Sequence, residues 1–380
     1  MIGMGGGTRY SIRKNQGAGA SANRAFTSAI CLAAGFAAVF FLIGLLQPGP
    51  LARLLGADGA VYAMTRTYLQ VILLFAPAFL TNNLLLCFVR NDGAPQLAMA
   101  GMITGSLSNV VLDYVFIFPC GMGIFGAALA TGFAPLISMA VLSPYLIRGK
   151  NRFRPVRCHL RPRRLAAICS AGVPSLVTEV SSGVVMIAFN AILLRLEGNV
   201  GVAAYGVIAN LSLVVLSIFT GISQGIQPLL SARYGAGKKA ELAVLLRYAV
   251  VTALAVSAVV YAVIFVFAGP IAAVFNSGAN ARLQALAEYG LRLYFIACPF
   301  AGCNIILSVY FTSVERPRPG QLVSILRGFA VILPMAFALS ALFGLTGVWC
   351  AFPAAEAVVT AVGAALYLRG PRPQPYQQLC

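Results

Sequence analysis

Apolar residues in this chain come in long unbroken runs instead of alternating with polar ones. The runs cover about 25–46, 68–89, 97–118 and 125–147, then 165–195, 202–231, 242–267, 286–311, 320–343 and 347–368. Each reaches roughly the 20 residues that a helix needs to cross the hydrocarbon of a bilayer. In lipid each run must be helical, because a helix satisfies its backbone polar groups within one segment. The pattern therefore predicts an all-α polytopic membrane protein with ten full spans. It divides the chain into a first lobe at 1–147, a basic linker at 148–164, a second lobe at 165–369 and a tail at 370–380.

The chain also resembles itself at an offset of 220 to 222 residues. Gly5, Ser11, Arg13 and Gly17 recur as Gly225, Ser231, Arg233 and Gly237; Pro77, Asn82 and Pro95 recur as Pro299, Asn304 and Pro317. Gly123, Gly126 and Ala130 recur as Gly344, Gly347 and Ala351. Duplication of an apolar chain points to a transporter built from two related lobes. Residues 165–220 find no partner upstream, so the first lobe is expected to lack its leading pair of helices, of which Met1–Gly7 is a remnant.

Composition narrows the class. Sixty per cent of residues are apolar and 9% are charged, against roughly 25% charged in a soluble domain. The net charge of +18 sits in short loops and does not form one basic face, which argues against nucleic acid as a partner. Arg53, Arg66, Arg195, Arg282 and Arg292 fall on one side of the predicted topology. The other basic residues, including eight in the linker from Arg148 to Arg164, fall on the opposite side. The positive-inside rule puts that side in the cytoplasm, with both chain ends. Cysteines are scattered without ligand spacing, so no metal site is expected. The lone histidine, His159, lies in the linker, and no phosphate-cradling glycine loop occurs; these patterns argue against an enzyme and against a bound cofactor.

An ionisable group deep in a bilayer costs about 2.5–3.5 kcal/mol on insertion scales, so each one needs a reason. The acids inside predicted spans are Asp113, Glu179 and Glu356. Glu179 ranks first, mid-span with Thr178, Ser181, Ser182 and Asn190 on the same helix. Glu356 is evenly balanced between coupling and structure, and Asp113, near a span end, leans towards structure. Asn82, Asn190, Asn210, Gln224 and Asn304 are candidates to line a polar route, with helix-to-helix hydrogen bonds as the alternative. Arg292 and Arg327 read as side chains that reach back to headgroups. Asp92, with Gly93 and Pro95, reads as turn chemistry.

Three stretches carry a family likeness. They are Arg90-Asn91-Asp92-Gly93-Ala94-Pro95, the run from Asn109 through Leu112-Asp113-Tyr114, and Gly121-Met122-Gly123-Ile124-Phe125-Gly126. In this order, and with Gly172-Val173-Pro174 following, the chain resembles the multidrug and toxic compound extrusion (MATE) family. The resemblance implies a two-lobe helical bundle with parallel, pseudo-twofold repeats and twelve helices. It implies a monomeric antiporter in the cytoplasmic membrane that exports cationic or amphipathic small molecules in exchange for H+ or Na+. It also implies a coupling acid in the helix that holds Glu179. The alternatives are a flippase for lipid-linked sugars, of the same superfamily, and a truncated membrane protein without transport activity. A pyrophosphate headgroup would want arginines deep in the cavity, and the basic residues of this sequence fall near predicted span ends.

Overall fold

The computed structural model describes residues 1–276, 278 and 280–369; the predicted tail at 370–380 lies outside them. In the first half, α1 (Ile2–Asn15), α2 (Gly19–Leu46), α3 (Pro48–Leu54), α4 (Gly59–Leu74), α5 (Ala76–Asp92), α6 (Pro95–Ile117) and α7 (Gly123–Ile147) follow one another. They are succeeded by α8 (Pro162–Gly235), α9 (Lys239–Val266), α10 (Ala268–Phe275), α11 (Ala281–Tyr294), α12 (Cys298–Ser313), α13 (Pro317–Ile325) and α14 (Ile332–Arg369). Prolines open α5, α6, α12 and α13, where the missing N–H is one the helix could not have paired.

Among the described residues, seven helices are long and apolar enough to cross a membrane. The count is eight if the pair 61–74 and 76–92, bent by 49°, forms one span. The long α8 and α14 are each broken at a glycine with positive φ, Gly198 and Gly344. The predicted runs 165–195 and 202–231 therefore lie on either side of Gly198, and 320–343 and 347–368 on either side of Gly344. Outward faces are apolar: Leu46, Leu107, Val110, Val259 and Leu342 are all more than 60% exposed. Surfaces of that kind belong against lipid tails.

The chain divides into two compact units, Met1–Gly172 and Val173–Cys380. The division falls inside α8 for a packing reason. Gly5 on α1 lies against the carbonyl of Ile168, and Gly172 against that of Met1, with no room for a Cβ at either position. These contacts tie the first turns of α8 to the first unit. In the second unit the core is aromatic: Tyr294 stacks on Phe352 at 4.6 Å and Phe189 on Tyr205 at 5.3 Å, beside the fully buried Trp349.

The repeat read from the sequence is also present in the backbone. Gly17 and Gly237 follow helix ends with φ of 77° and 73°, and Gly123 and Gly344 have φ of 53° and 55°. At an offset of 222, Gly93 (φ 108°) is matched by Glu315 (φ 55°), the one non-glycine with positive φ among the described residues. An L-residue held there costs roughly 1–2 kcal/mol. Glycine removes that cost but loses about 0.5–1 kcal/mol of chain entropy on folding. Glu315→Gly is therefore expected to raise stability by about 0.5 kcal/mol, read as a higher thermal midpoint of the detergent-solubilised protein. A lower midpoint would show that Glu315 contributes contacts worth more than its strain.

One loop residue departs from its predicted role. Asp92 does more than shape a turn, which Gly93 supplies through its left-handed conformation. The Asp92 carboxylate accepts from Tyr10 Oη (2.7 Å), Lys14 Nζ (2.6 Å), Tyr145 Oη (2.8 Å) and the Arg152 backbone N–H (2.8 Å). It is the fixing point for the stretch that follows α7. That stretch continues with Arg154 N–H donating to Asn23 Oδ1 and Val156 N–H to Thr27 Oγ1. Phe153, 1% exposed, seats itself among Tyr10, Phe26 and Phe88. The predicted linker is thus strapped to the first unit over much of its length. Arg90 is buried beside Met102, and Pro95 starts α6.

Candidate functional site

In the second unit a cavity of about 110 Å³ opens between helices. Holding one water takes about 10–15 Å³, so the space suits several waters or a small polar group; a drug-sized ligand needs roughly 300 Å³ or more. Thr178, Ser181 and Ser182 line it from α8 before the Gly198 break, and Tyr205 and Ser212 from α8 after it. Tyr294 closes it from α11, with Ser324 from α13 and Phe352 from α14.

Two charges meet on this cavity. Arg327 Nε donates to Glu356 Oε1 at 2.5 Å. Asn304 Nδ2 donates to Glu356 Oε2 at 2.7 Å and to its backbone carbonyl at 3.0 Å. The Glu356 side chain is 1% exposed and that of Arg327 12%. Arg327 does not reach to headgroups as the sequence suggested; it is the counter-ion of a buried acid. Its placement comes from a π turn at Leu326–Ala330, closed by Val331 N–H donating to the Leu326 carbonyl. Such single turns re-aim the side chains they carry. Gly328 in the same turn sits against Ser181, where a Cβ would leave under 3 Å, so the turn and α8 hold each other in place.

The sequence candidates distribute unevenly. Of the acids, Glu356 lines the cavity; Glu179 is exposed, one step round α8 from Ser181 and Ser182, and does not line it. Asn304 joins Glu356, whereas Asn190 and Gln224 are half-buried and away from the cavity, and Asn210 is exposed with its amide on the Gly206 carbonyl. Arg292 pairs with Glu288 at 2.7 Å.

The first unit holds a different arrangement. Asp113 Oδ1 and Asn109 Nδ2, one turn apart on α6, are buried and without a hydrogen-bond partner, as is Asn82 Oδ1 on the adjacent α5. A buried polar atom left unpaired costs about 1–3 kcal/mol, and an orphaned carboxylate oxygen calls for a ligand the protein itself does not supply. Turning the Asn109 amide would put its oxygen on the same face of α6 as Asp113, one turn away. The pair suits a proton or a small cation.

Nothing in the sequence singles out Tyr205, Ser212, Tyr294 and Phe352 as cavity lining, since aromatic and hydroxyl residues inside apolar runs are ordinary packing. Arg327, read as reaching headgroups, did carry one signal against that reading: it is the eighth residue of its predicted span, in a half that also carries Glu356.

Comparisons with known proteins agree with this architecture. The MatE family profile matches residues 1–115 and 174–338. The chain is 26% identical over 362 residues to the multidrug export protein MepA of Staphylococcus saprophyticus, covering 94% of this chain and 79% of that protein. For MepA of Staphylococcus aureus the identity is 27% over 356 residues, covering 92% and 76%. Among solved structures, an outward-facing MATE family multidrug resistance transporter superposes with a TM-score of 0.88 at 22% identity, covering 95% of this chain and 81% of that one. A transporter of the MOP superfamily from Pyrococcus furiosus, described as having a binding pocket of reverse polarity, gives 0.89 at 22%, covering 95% and 81%. With the profile matching well over half of its residues, this chain belongs to the MatE family of membrane-embedded multidrug efflux transporters.

Proposed function

We propose that this efflux transporter is a secondary antiporter of the cytoplasmic membrane, both chain ends cytoplasmic. It works as a monomer by alternating access, exchanging cationic or amphipathic small molecules for H+ or Na+. The observation that carries the exchange is the orphaned Asp113 Oδ1 beside Asn109 in the first unit. Glu356 already has its cation in Arg327, whereas Asp113 leaves a buried oxygen to be satisfied from outside. A carboxyl in that position gains a proton or sodium ion on one side of the cycle and gives it up on the other. Glu179, exposed on α8, is the second candidate.

The test is ethidium efflux from proteoliposomes under imposed pH and sodium gradients. Asp113→Asn is expected to cut gradient-dependent efflux by about tenfold or more, while Glu179→Gln and Glu356→Gln locate any secondary acid. Unchanged gradient dependence in Asp113→Asn would remove that residue from coupling.

A lipid-linked sugar flippase gains one supporting observation, the placement of Arg327 on the second unit's cavity. The sequence had disfavoured that reading for want of such an arginine.

A further inference from the structure

The second unit's cavity presents positive charge to an incoming ligand, which is unexpected in an exporter of cations. Glu356, 1% exposed, is sealed against Asn304 and Arg327, while the guanidinium carries the greater exposure. Among the described residues, Arg327 finds its one acceptor through Nε, at Glu356; both Nη groups are left without one. Ser181 and Ser324 add hydroxyls around it, and Tyr205 and Tyr294 add phenols. We propose that this cavity is a binding site for the monoanionic group, carboxylate or phosphate, of an amphipathic molecule, held by Arg327 when Glu356 takes up a proton.

The charge count explains the second condition. With Glu356 ionised the pair sums to zero, and an anion must compete with a carboxylate already in contact. With Glu356 protonated from bulk solvent by way of the cavity, the site carries a single positive charge that one anion neutralises. Binding an anion therefore takes up a proton. The groups that face Glu356 are Arg327 from the π turn, Asn304 from α12, and the cavity phenols Tyr294 from α11 and Tyr205 from α8. Arg327 is the one permanent charge among them. A planar guanidinium with two open Nη groups matches the fork of a carboxylate or phosphate. The first unit has no equivalent: at the repeat offset Gly105 stands in place of Arg327 and Pro135 in place of Glu356.

The inference deepens the exporter reading and rests on it for the direction of transport, but binding can be measured without transport. The protein would be placed in phosphatidylcholine nanodiscs and titrated with dansylglycine and with its uncharged methyl ester. The acid is expected to bind about tenfold tighter than the ester. Its affinity should rise on acidification by at most about tenfold per unit of pH, the limit for one linked proton. Glu356→Gln should bind the acid tightly with no pH dependence, Arg327→Gln should lose the preference for acid over ester, and Arg327→Lys should keep part of it.

Equal binding of acid and ester by the native protein would overturn the proposal. So would a native preference that survives in folded Arg327→Gln, or a pH dependence that persists in Glu356→Gln. If Arg327→Gln fails size exclusion, Arg327→Lys and Glu356→Gln carry the decision. Adding phosphatidic acid to the nanodisc separates the sources. Displacement of dansylglycine marks a lipid phosphate as the ligand, and undiminished binding a free anionic amphiphile. Loss of the acid preference with Asp113-dependent efflux intact would sink this site alone. An acid preference with gradient-independent efflux would instead sink the cation-exchange reading alone.

Discussion

Asp92→Ala is expected to cost the first unit about 3–5 kcal/mol, the range for removing one partner of a buried ion pair. The substitution strands Lys14 Nζ, the hydroxyls of Tyr10 and Tyr145, and the Arg152 amide, all of which converge on this carboxylate. Water can rescue Lys14, whose side chain is 20% exposed, more readily than Tyr10, which is 1% exposed. Asp92→Asn should cost less, because its oxygen still accepts from two donors while the charge on Lys14 goes unanswered. A local readout separates this from general damage. The strap after α7 carries Arg152 and Arg157, whose side chains are already exposed, and its release frees the backbone beside them to enter the trypsin cleft. Faster cleavage there than elsewhere is the expected result. Native cleavage rates and an unshifted thermal midpoint in Asp92→Ala would show that the strap is held by Phe153 and the Asn23 and Thr27 contacts instead.

Much of the fold was legible because the bilayer leaves a chain few options. Long apolar runs could only be helices, and the repeat offset found by matching glycines and prolines reappears as matched backbone conformations at Gly17 and Gly237 and at Gly123 and Gly344. Those residues are readable because their function is local: a left-handed turn or a helix start is decided within a few residues. The sites were less legible because they depend on what lies opposite. Asp92 looked like a turn residue until four donors from Tyr10, Lys14, Tyr145 and Arg152 arrived from distant parts of the chain. Arg327 looked like a snorkelling side chain because its neighbours in sequence say nothing of Glu356, 29 residues on. The π turn that aims it has no strong sequence mark. Glu179 outranked the other acids on its position mid-span among hydroxyls, yet those hydroxyls face the cavity and Glu179 does not. One step round a helix changes what a residue meets, and the sequence period alone does not say which face is turned to a neighbour.

Arg327→Gln is expected to destabilise the second unit by about 3–5 kcal/mol, because it leaves a carboxylate with 1% exposure and only Asn304 beside it. Glu356→Gln should cost about 1–2 kcal/mol. Its amide oxygen can still accept from Asn304, and the freed guanidinium borders a cavity where water can solvate it. The double variant Arg327→Gln/Glu356→Gln removes both charges and is expected to recover at least half of the loss seen in Arg327→Gln, since two neutral amides of similar size can hydrogen-bond to each other. Thermal midpoints of the four proteins in one detergent complete the cycle. A double variant equal to the sum of the singles would mean that the two residues act independently despite their contact. The asymmetry between the singles matters as much as the coupling. If Glu356→Gln proved the more damaging, the guanidinium would be the sealed member of the pair, and the cavity would present a carboxylate to its ligand. The polarity assigned to this half of the transporter would then reverse.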